Sequence, residues 1–501
     1  MGWGVNKLWI SYDREMNVAI LHFHLRRGGV SSVIFKQASS LALAEDPPQV
    51  VLLTGTVPES HSPAPFLVIP ELDYDTFTGY GAEDLQEGAR GLARVLSTAL
   101  GQVFPGGCDL LHVHNPLLCK NKRLLGALHL LQAQGIPLLI QIHDLAEDFR
   151  PQVYDNLWPY PESCDYAVIN HRDRDNLIHA GLEASQVHFL PNPVTHGEAF
   201  SPREGFAKEV LKGRKTALYP VRAIRRKNMG EALLLSLFLP PEAELAVTLP
   251  PTSPGDRDRY EIWKDFAREG SYPVRFEAGK NTPLPQLYDQ AFCVVTTSVK
   301  EGFGYSYLDP LIQGLPVVGR EIPHLIKDFS ENEIRFPGLY PSIRVPRKDL
   351  SSFTLNQAMH NRRESFRSHY APVFQDHQLE YFESLLSGLD QKFSHETVDF
   401  GALDEGLQSS VLLRIKKDGG FRRELVGLNP FLTGFFENPT PPEEATRLRQ
   451  RVLQSYSEKD YAREIQRIYH QALTQKSRGR VDKTALLASY LKPGSFFLVS
   501  S

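Results

Sequence analysis

Apolar runs of strand length alternate with stretches of helical spacing along much of the chain. Residues 16–24 form the first apolar run, and residues 31–43 carry the helical pattern that follows it. Strands of a parallel sheet are buried on both faces and are therefore apolar throughout, whereas an amphipathic helix repeats about every 3.6 residues. The alternation predicts βα units around mainly parallel sheets. Further strands are predicted at residues 49–53, 110–114, 137–143, 166–170, 187–190, 217–221, 292–297 and 315–318.

Two such α/β units are separated by a polar segment. The sequence Leu-Pro-Asn-Pro-Val at residues 190–194 ends the first unit, and residues 195–213 have the glycine, proline and polar content of a linker. Past residue 345 the alternation fades, and long charged helical patterns follow at residues 355–386 and 443–473. We therefore predict a first domain over residues 1–205, a second domain over residues 206–387, and a mainly helical C-terminal extension over residues 388–501.

Composition narrows the class of protein. The 501 residues are 42% hydrophobic and 23% charged, as in a globular protein with sizeable cores. A net charge of −4 gives no electrostatic reason for nucleic acid or an anionic membrane to be the main partner. No apolar run has the length of a membrane span, the N-terminus lacks the apolar core of a signal peptide, and the four cysteines are scattered. We predict a cytoplasmic protein with no transmembrane segment, disulfide framework or zinc site.

Residues 296–318 have the pattern strand, glycine loop, helix, strand, and they contain the first candidate site. We call residues 297–304 the glycine loop, because Gly302 and Gly304 interrupt the pattern between the strand and the helix. The free N–H groups at the start of that helix suit a phosphate. Glu301 would repel a phosphate, so we expect it to hold a neutral group beside one, such as sugar hydroxyls. The alternative is an ordinary strand-to-helix connection with a surface glutamate.

A second candidate follows the strand predicted at residues 217–221. We name residues 222–228 the cation loop after its four cations, which are Arg222, Arg225, Arg226 and Lys227. Arginine can hold two phosphate oxygens in a fork, and lysine adds a mobile point charge, so the loop suits a diphosphate. The alternative is a solvated basic loop, which is the usual role of a run of charges.

Polar residues also follow predicted strands of the first unit. Gly28 and Gly29 lie in the loop after the first strand, and His143 ends a later strand. Ligands of doubly wound sheets collect at the carboxyl ends of such strands. The loop lacks the G-x-G-x-x-G fingerprint, which argues against a dinucleotide-dependent dehydrogenase. His112 and His114 are better explained as structural residues, because histidine is often partly buried without a function.

Three of these features resemble motifs of the retaining glycosyltransferases of family 4, and they follow one another along the chain as a loop after the first strand, a cation loop that opens the second domain and an acidic pair. Glu301 and Asp309 are spaced like the family's E-x7-E signature, whose second acid is usually glutamate. Arg222 and Lys227 match the cations of its Gly-Arg-x-x-x-x-Lys loop, with Val221 in place of the glycine.

The third feature, the Gly28–Gly29 pair, resembles the family's Gly-Pro-Gly-Gly-Val loop, with Arg26 and Arg27 in place of Gly-Pro. The segment that ends in His143 is similar to the family's His-Asp segment, whose histidine faces the donor sugar. The resemblance covers roughly residues 16–345, in ordered pieces.

This resemblance implies an α/β fold of the GT-B class, in which two Rossmann-like doubly wound domains face each other across a cleft. It implies that a closing helix near residues 443–473 packs back on the first domain. The implied catalytic residues are Glu301 and His143. Donor-phosphate binding is implied for Arg222, Lys227, Gly304, Tyr305, Gly28 and Gly29. Sugar binding is implied for Glu301, Gly302 and Phe303, and nucleoside binding for Asp309 and Gly279.

The predicted activity is transfer of a hexose from a UDP- or GDP-sugar, with retention of anomeric configuration, to an unidentified small-molecule, glycan or lipid-linked acceptor. The cations and the helix N-terminus would stabilise the departing diphosphate, so neither a metal ion nor a cofactor is expected. A sugar phosphorylase or a sugar-nucleotide epimerase on the same fold is an alternative. A non-catalytic protein that binds nucleotides or sugars is another, and turnover of a nucleotide sugar would distinguish it.

Overall fold

The computed structural model describes residues 15–75, 81–194, 216–437, 442–474 and 479–499. The first α/β unit is built on a parallel sheet whose strands are β1 Asn17–His22, β2 Gln49–Thr54, β3 Phe66–Val68, β4 Leu110–His114, β5 Leu138–Ile142, β6 Asp165–Val168 and β7 Val187–Phe189. The order across the sheet is β3-β2-β1-β4-β5-β6-β7. Every residue of β4 and β5 is buried, as their apolar sequences require.

The second unit has a parallel sheet of six strands, which are β8 Thr216–Arg222, β9 Glu244–Leu249, β10 Val274–Arg275, β11 Ala291–Thr296, β12 Val317–Arg320 and β13 Gly338–Tyr340. Their order is β10-β9-β8-β11-β12-β13. A small antiparallel pair follows, formed by β14 Arg344–Pro346 and β15 Thr397–Asp399. The predicted fold class, two Rossmann-like doubly wound sheets, is confirmed.

Helices cover the sheets and form the C-terminal part of the chain. Those of the first unit are Gly29–Ala42, Ala82–Val103, Leu124–Ala133 and His171–His179. Those of the second unit are Met229–Ser236, Pro254–Glu269, Leu284–Gln290, Tyr305–Ile312, Pro323–Glu331, Ser352–Tyr370 and Leu379–Gly388. The C-terminal helices are Glu405–Lys417, Gly419–Leu428, Pro442–Ser455, Glu458–Thr474 and Lys483–Tyr490.

Some elements differ from those predicted. Six of the described strands, β3, β9, β10, β13, β14 and β15, are not predicted from the sequence, and all of them except β9 have three residues or fewer, too short for a periodic pattern. The pattern at residues 355–386 is broken after Tyr370, where Pro372 follows and cannot continue a helix. The pattern at residues 443–473 is broken at Ser457, whose hydroxyl accepts from the Asp460 N–H and begins a new helix.

The C-terminal helices pack on both units. Pro442–Ser455 contributes Leu448 and Val452 to a core that contains Tyr307 and Leu308 of the helix after the glycine loop. Glu458–Thr474 packs its apolar face on Gly29–Ala42 of the first unit, through Tyr461, Ile465, Ile468 and Tyr469. The last part of the chain therefore connects the two units on one side of the molecule.

Residues 397–432 contribute to the core of the second unit. Arg320, at the end of β12, is 2% exposed and holds two carboxylates, that of Glu231 over 2.6 Å and that of Asp399 over 2.8 Å. A buried charge of this kind is tolerated only when it is paired and hydrogen-bonded, as it is here. The ion cluster fixes β15 against the carboxyl end of the second sheet.

Candidate active site between the two sheets

Loops from the carboxyl ends of both sheets meet in a cleft. The loops after β5 and β6 come from the first sheet, and the cation loop and the glycine loop come from the second. Asn170 Nδ2 donates to the Gly302 carbonyl oxygen over 3.0 Å. The Lys300 ammonium donates to the Asp148 carbonyl oxygen and lies 3.2 Å from the Asp148 carboxylate. These contacts bring the two units together at the predicted site.

The glycine loop depends on glycine at two positions. Gly304 has a φ of 94°, in the left-handed region, and immediately precedes the first helical residue, Tyr305. A Cβ added at Gly302 would lie 2.5 Å from the His143 carbonyl oxygen, a distance that no side chain allows. The second unit therefore touches the first directly at His143.

Glu301 directs its side chain toward the cation loop. Its carboxylate accepts from Arg226 Nη1 over 2.6 Å and from the Lys227 ammonium. Burial acts to raise the pKa of Glu301, but the two cations outweigh it and lower the pKa to about 2. Glu301 is therefore an anion at physiological pH and can only accept hydrogen bonds.

The cation loop is held by a tyrosine of β8 and by the first residue of the glycine loop. Tyr219 Oη donates to the Lys227 carbonyl oxygen over 2.6 Å, and Thr297 Oγ1 donates to the same oxygen over 3.0 Å. Burial lowers the pKa of Lys227 to about 8 against the opposing effect of Glu301, and Arg226 contributes to the lowering. The negative charge of a bound diphosphate would further stabilise the neighbouring charges of Arg226 and Lys227.

His143 is a buried neutral imidazole beside the glycine loop. Its Nε2 lies 2.9 Å from His114 Nδ1, and its backbone N–H donates to Asn115 Oδ1 over 2.7 Å. Burial lowers the pKa of His143 to about 4, although Asp144 opposes the shift. His143 therefore does not carry a positive charge at neutral pH, and its predicted contact with a sugar stays a prediction.

The predicted nucleoside residue Asp309 faces the first unit. It lies on the helix Tyr305–Ile312, and burial raises its pKa to about 6, with Lys36 of the helix Gly29–Ala42 acting in the opposite direction. The Lys36 ammonium also lies 4.3 Å from the centroid of the Tyr305 ring. The helix after the glycine loop and the helix after Gly28 and Gly29 therefore face each other across the cleft.

Arg222 is the last residue of β8, and Gly279, in the loop after β10, lies beside the end of β9. Arg222 Nη1 donates to the Pro250 carbonyl oxygen over 3.3 Å. The Gly279 N–H donates to the Thr248 carbonyl oxygen over 2.9 Å. Both residues are thus at the carboxyl edge of the second sheet, where the prediction places a diphosphate and a nucleoside.

Other predicted site residues contribute only backbone to the cleft. The Phe303 ring is buried, 5.0 Å from the Tyr305 ring and 5.5 Å from the Tyr456 ring, so its side chain is part of the core and any sugar contact is left to its backbone. Gly28 and Gly29 are exposed, and Gly28 is the extended residue that precedes the first helix.

Two residues that the sequence analysis did not single out touch Glu301. Arg226 pairs with its carboxylate and also donates to the Lys300 carbonyl oxygen over 2.7 Å. His324 Nε2 lies 3.3 Å from the Glu301 carbonyl oxygen. Arg226 was visible as one of four cations in its loop, but nothing in the sequence distinguishes it from Arg225, which pairs elsewhere, with Glu405.

Three cations surround the Tyr74 ring on the first-unit side of the cleft: Arg26, Lys120 and Arg150. Two of them are paired, Arg26 with Asp73 and Arg150 with Asp144. Lys120 has no carboxylate partner among the residues that the structure describes, and burial together with Arg150 lowers its pKa. With Asp73 and Asp144 included, this cation group has a net positive charge on the first-unit side of the cleft.

No family model matches the chain. Over 423 residues the chain is 25% identical to the mannosylglucosyl-3-phosphoglycerate synthase of Petrotoga mobilis, which covers 78% of this chain and 80% of that protein. Among solved structures, the sucrose-phosphate synthase from Thermosynechococcus elongatus superposes with a TM-score of 0.53 at 15% identity, over 91% of this chain and 99% of that one. A glycosyltransferase from Rickettsia africae superposes with a TM-score of 0.51 at 10% identity, over 92% of this chain and 99% of that one.

The chain is a glycosyltransferase with a GT-B-like fold, and it is similar to enzymes of family 4. The predicted fold class, the resemblance to family 4 and the assignment as a glycosyltransferase are therefore confirmed. In the part of this glycosyltransferase that the structure describes, no helix is both long enough and apolar enough to cross a membrane. The same residues include no group of three or more His, Cys, Asp or Glu side chains arranged to hold a metal ion. The roles of individual site residues remain predictions.

Proposed function

We propose that this glycosyltransferase moves a hexose from a UDP- or GDP-sugar to its acceptor with retention of anomeric configuration. The observation that carries the proposal is the contact of Glu301 with Arg226 and Lys227 at the start of a helix, opposite His143. This arrangement supports a role for Glu301 as the anion that holds sugar hydroxyls between the proposed diphosphate site and the first domain.

The diphosphate is the group whose charge grows as the sugar leaves. Arg222, Lys227 and the N–H groups at the start of Tyr305–Ile312 supply fixed positive charge for it, which is the largest kind of catalytic contribution. In the free enzyme the Glu301 carboxylate holds Lys227 and Arg226. A bound diphosphate competes for these cations, and the carboxylate then turns to the sugar hydroxyls.

The sugar is positioned from both sides of the cleft. Glu301 accepts from its hydroxyls, and neutral His143 hydrogen-bonds it from the first unit. Neither residue forms a covalent bond to the sugar, because Glu301 is held by two cations and acts as a positioning acceptor. The expected reaction breaks the bond between the anomeric carbon and the phosphate oxygen and forms one to an acceptor oxygen on the same face of the sugar.

We infer that the acceptor carries an anionic group. The cation group around Tyr74 lies on the first-unit side of the cleft, and its Lys120 has no carboxylate partner among the described residues. The name of the Petrotoga relative is that of an enzyme that makes a glycoside of phosphoglycerate, which bears a phosphate and a carboxylate. A phosphate or carboxylate on the acceptor would satisfy Lys120 in the same way.

The donor is tested first by thermal shift against UDP-, GDP- and ADP-sugars, because a ligand at about 100 times its Kd adds about 2.7 kcal/mol of apparent stability. The stabilising donor is then incubated with phosphorylated and non-phosphorylated acceptors, and the anomeric proton coupling of the product is measured by NMR. An α-linked donor should give an α-linked product; a β-linked product contradicts retention. Binding without turnover of any donor supports the non-catalytic alternative, and release of sugar phosphate by inorganic phosphate alone supports a phosphorylase.

A further inference from the structure

A cavity of about 540 Å³ lies where both units and the C-terminal part of the chain meet. Its walls come from the loop after β5, from the end of β12, and from residues 392–399 and 494–497. Val299 and Lys300 of the glycine loop also line it. Its described lining does not include Glu301 or the cation loop, so it is distinct from the proposed donor site. The volume is within the range of about 300–1,000 Å³ that is usual for small-molecule sites.

The lining of this cavity is positively charged. It contains five lysine or arginine residues and three acids, and the five cations are Arg172, Lys300, Arg320, Arg344 and Lys392. Two of the acids are already neutralised. Asp148 lies 2.8 Å from Arg172 and 3.2 Å from Lys300, and Asp399 lies 2.8 Å from Arg320.

Two of the cations are left without a carboxylate. Among the described residues, neither Lys392 nor Arg344 has an acidic side chain within ion-pair distance. The Lys392 ammonium donates to the Gly494 carbonyl oxygen over 3.1 Å and lies 4.4 Å from the centroid of the Phe497 ring. Burial lowers the pKa of Lys392, which means that its charge is poorly solvated as it stands. A bound anion would therefore stabilise the charge of Lys392.

The other residues that line the cavity indicate the chemistry of the rest of the ligand. Phe149, Ile322 and Phe497 provide apolar surface, and Ser342 and Ser495 provide hydroxyls. A phosphate group on a compact polar body of sugar size meets both kinds of surface, since the phosphate takes the cations and the body takes the hydroxyls and rings.

We propose that this cavity binds a small phosphomonoester, with its phosphate on Lys392 and Arg344, and that this ligand strengthens nucleotide binding at the donor site. The coupling has a direct route. Arg172 and Asp148 belong to the first unit, Lys300 belongs to the glycine loop, and all three line the cavity. A ligand that contacts Arg172 and Lys392 at once links the first unit to the second and favours the closed cleft.

Binding is measured by calorimetry on the full-length protein, with ribose 5-phosphate as the probe and ribose as its uncharged control. Lys392→Gln and Arg344→Gln should each weaken binding of the phosphate probe about tenfold or more. Lys417→Gln, at an exposed lysine on Glu405–Lys417 outside the cavity, should leave it unchanged. Inorganic phosphate should bind the same site more weakly than ribose 5-phosphate, because it lacks the body of the ligand.

The same titration in saturating UDP separates this site from the donor site. Probe binding that is undiminished or tighter in UDP supports the proposal, whereas displacement of the probe by UDP overturns it. Wild-type probe affinity in both cavity variants also overturns it, and so does a failure of both ribose 5-phosphate and inorganic phosphate to bind. The predicted coupling between the cavity and the donor site rests on the proposed function. The Kd for UDP should fall several-fold when the wild-type protein is saturated with the probe, and it should not fall in Lys392→Gln. An unchanged Kd for UDP overturns the coupling. A protein that binds the probe but neither UDP nor GDP refutes the proposed donor while the cavity site stands.

Discussion

Replacement of Glu301 by glutamine tests the proposed site most directly. The change removes the negative charge and keeps the size of the side chain. The carboxylate accepts from Arg226 and from Lys227, and its pKa is lowered from 4.5 to about 2. At about 1.36 kcal/mol per pKa unit, that lowering corresponds to a preference for the charged form on the order of 3 kcal/mol in this environment.

This contact changes what the variant should do to nucleotide binding. From the sequence alone, the affinity for a nucleoside diphosphate should be unaffected, because the free nucleotide has no sugar for Glu301 to hold. In the structure, however, the carboxylate occupies Arg226 and Lys227, for which a bound diphosphate would compete. If the diphosphate recovers even half of this free energy, Glu301→Gln should bind it about tenfold more tightly. Turnover should fall about a hundredfold or more, because the sugar loses its positioning acceptor.

Calorimetry with the nucleoside diphosphate and initial rates of donor consumption measure the two effects on the same preparations. Glu380→Gln removes an exposed acid from the first turn of Leu379–Gly388 and is the matched control, for which both values should be those of the wild type. A Glu301→Gln enzyme with normal turnover would return Glu301 to the role of a structural loop residue. Weaker nucleotide binding in that variant would refute the competition between carboxylate and diphosphate.

Arg222→Ala and Lys227→Ala should each weaken nucleoside diphosphate binding about tenfold to a hundredfold, since each removes a charge-assisted contact worth roughly 1.5–3 kcal/mol. Wild-type affinity in both variants would show that the cation loop is not part of the site. Binding needs Lys227 protonated, so affinity should be complete below its free-state pKa of about 8 and fall as the pH rises above it, by at most about tenfold per pH unit. Lys227→Met should lose that pH dependence, and a slope that persists in the variant assigns it to another group. Activity should survive saturating EDTA, because protein cations and a helix N-terminus take the place of a divalent ion; complete loss that Mg²⁺ restores would contradict this.

Part of this protein could be predicted from local sequence because the signals are local. A buried parallel strand is apolar over a few consecutive residues, and a glycine with its neighbours marks the turn that follows it. Strand ends then locate the site, since ligands of doubly wound sheets collect there. Glu301, Lys227 and His143 are each recognisable in this way, one strand end at a time.

The sequence did not reveal how these strand ends meet. Lys227 and Glu301 are 74 residues apart, and nothing near either of them indicates that they form an ion pair. Arg226 and Arg225 are adjacent and chemically identical, yet one reaches Glu301 and the other reaches Glu405. Which arginine enters the cleft is decided by the direction of the backbone over the sheet.

The sequence by itself determined the two doubly wound sheets, the order of the motifs and the kind of chemistry that each motif supports, because periodicity and turn residues act over short stretches of chain. Only the tertiary structure decided which charges neutralise each other, that Gly302 touches His143 across the cleft, and that the C-terminal residues close a charged cavity beside the glycine loop. The physical reason is that pairing and burial depend on distances between residues far apart in the chain, and a buried charge is set by the groups that fold against it.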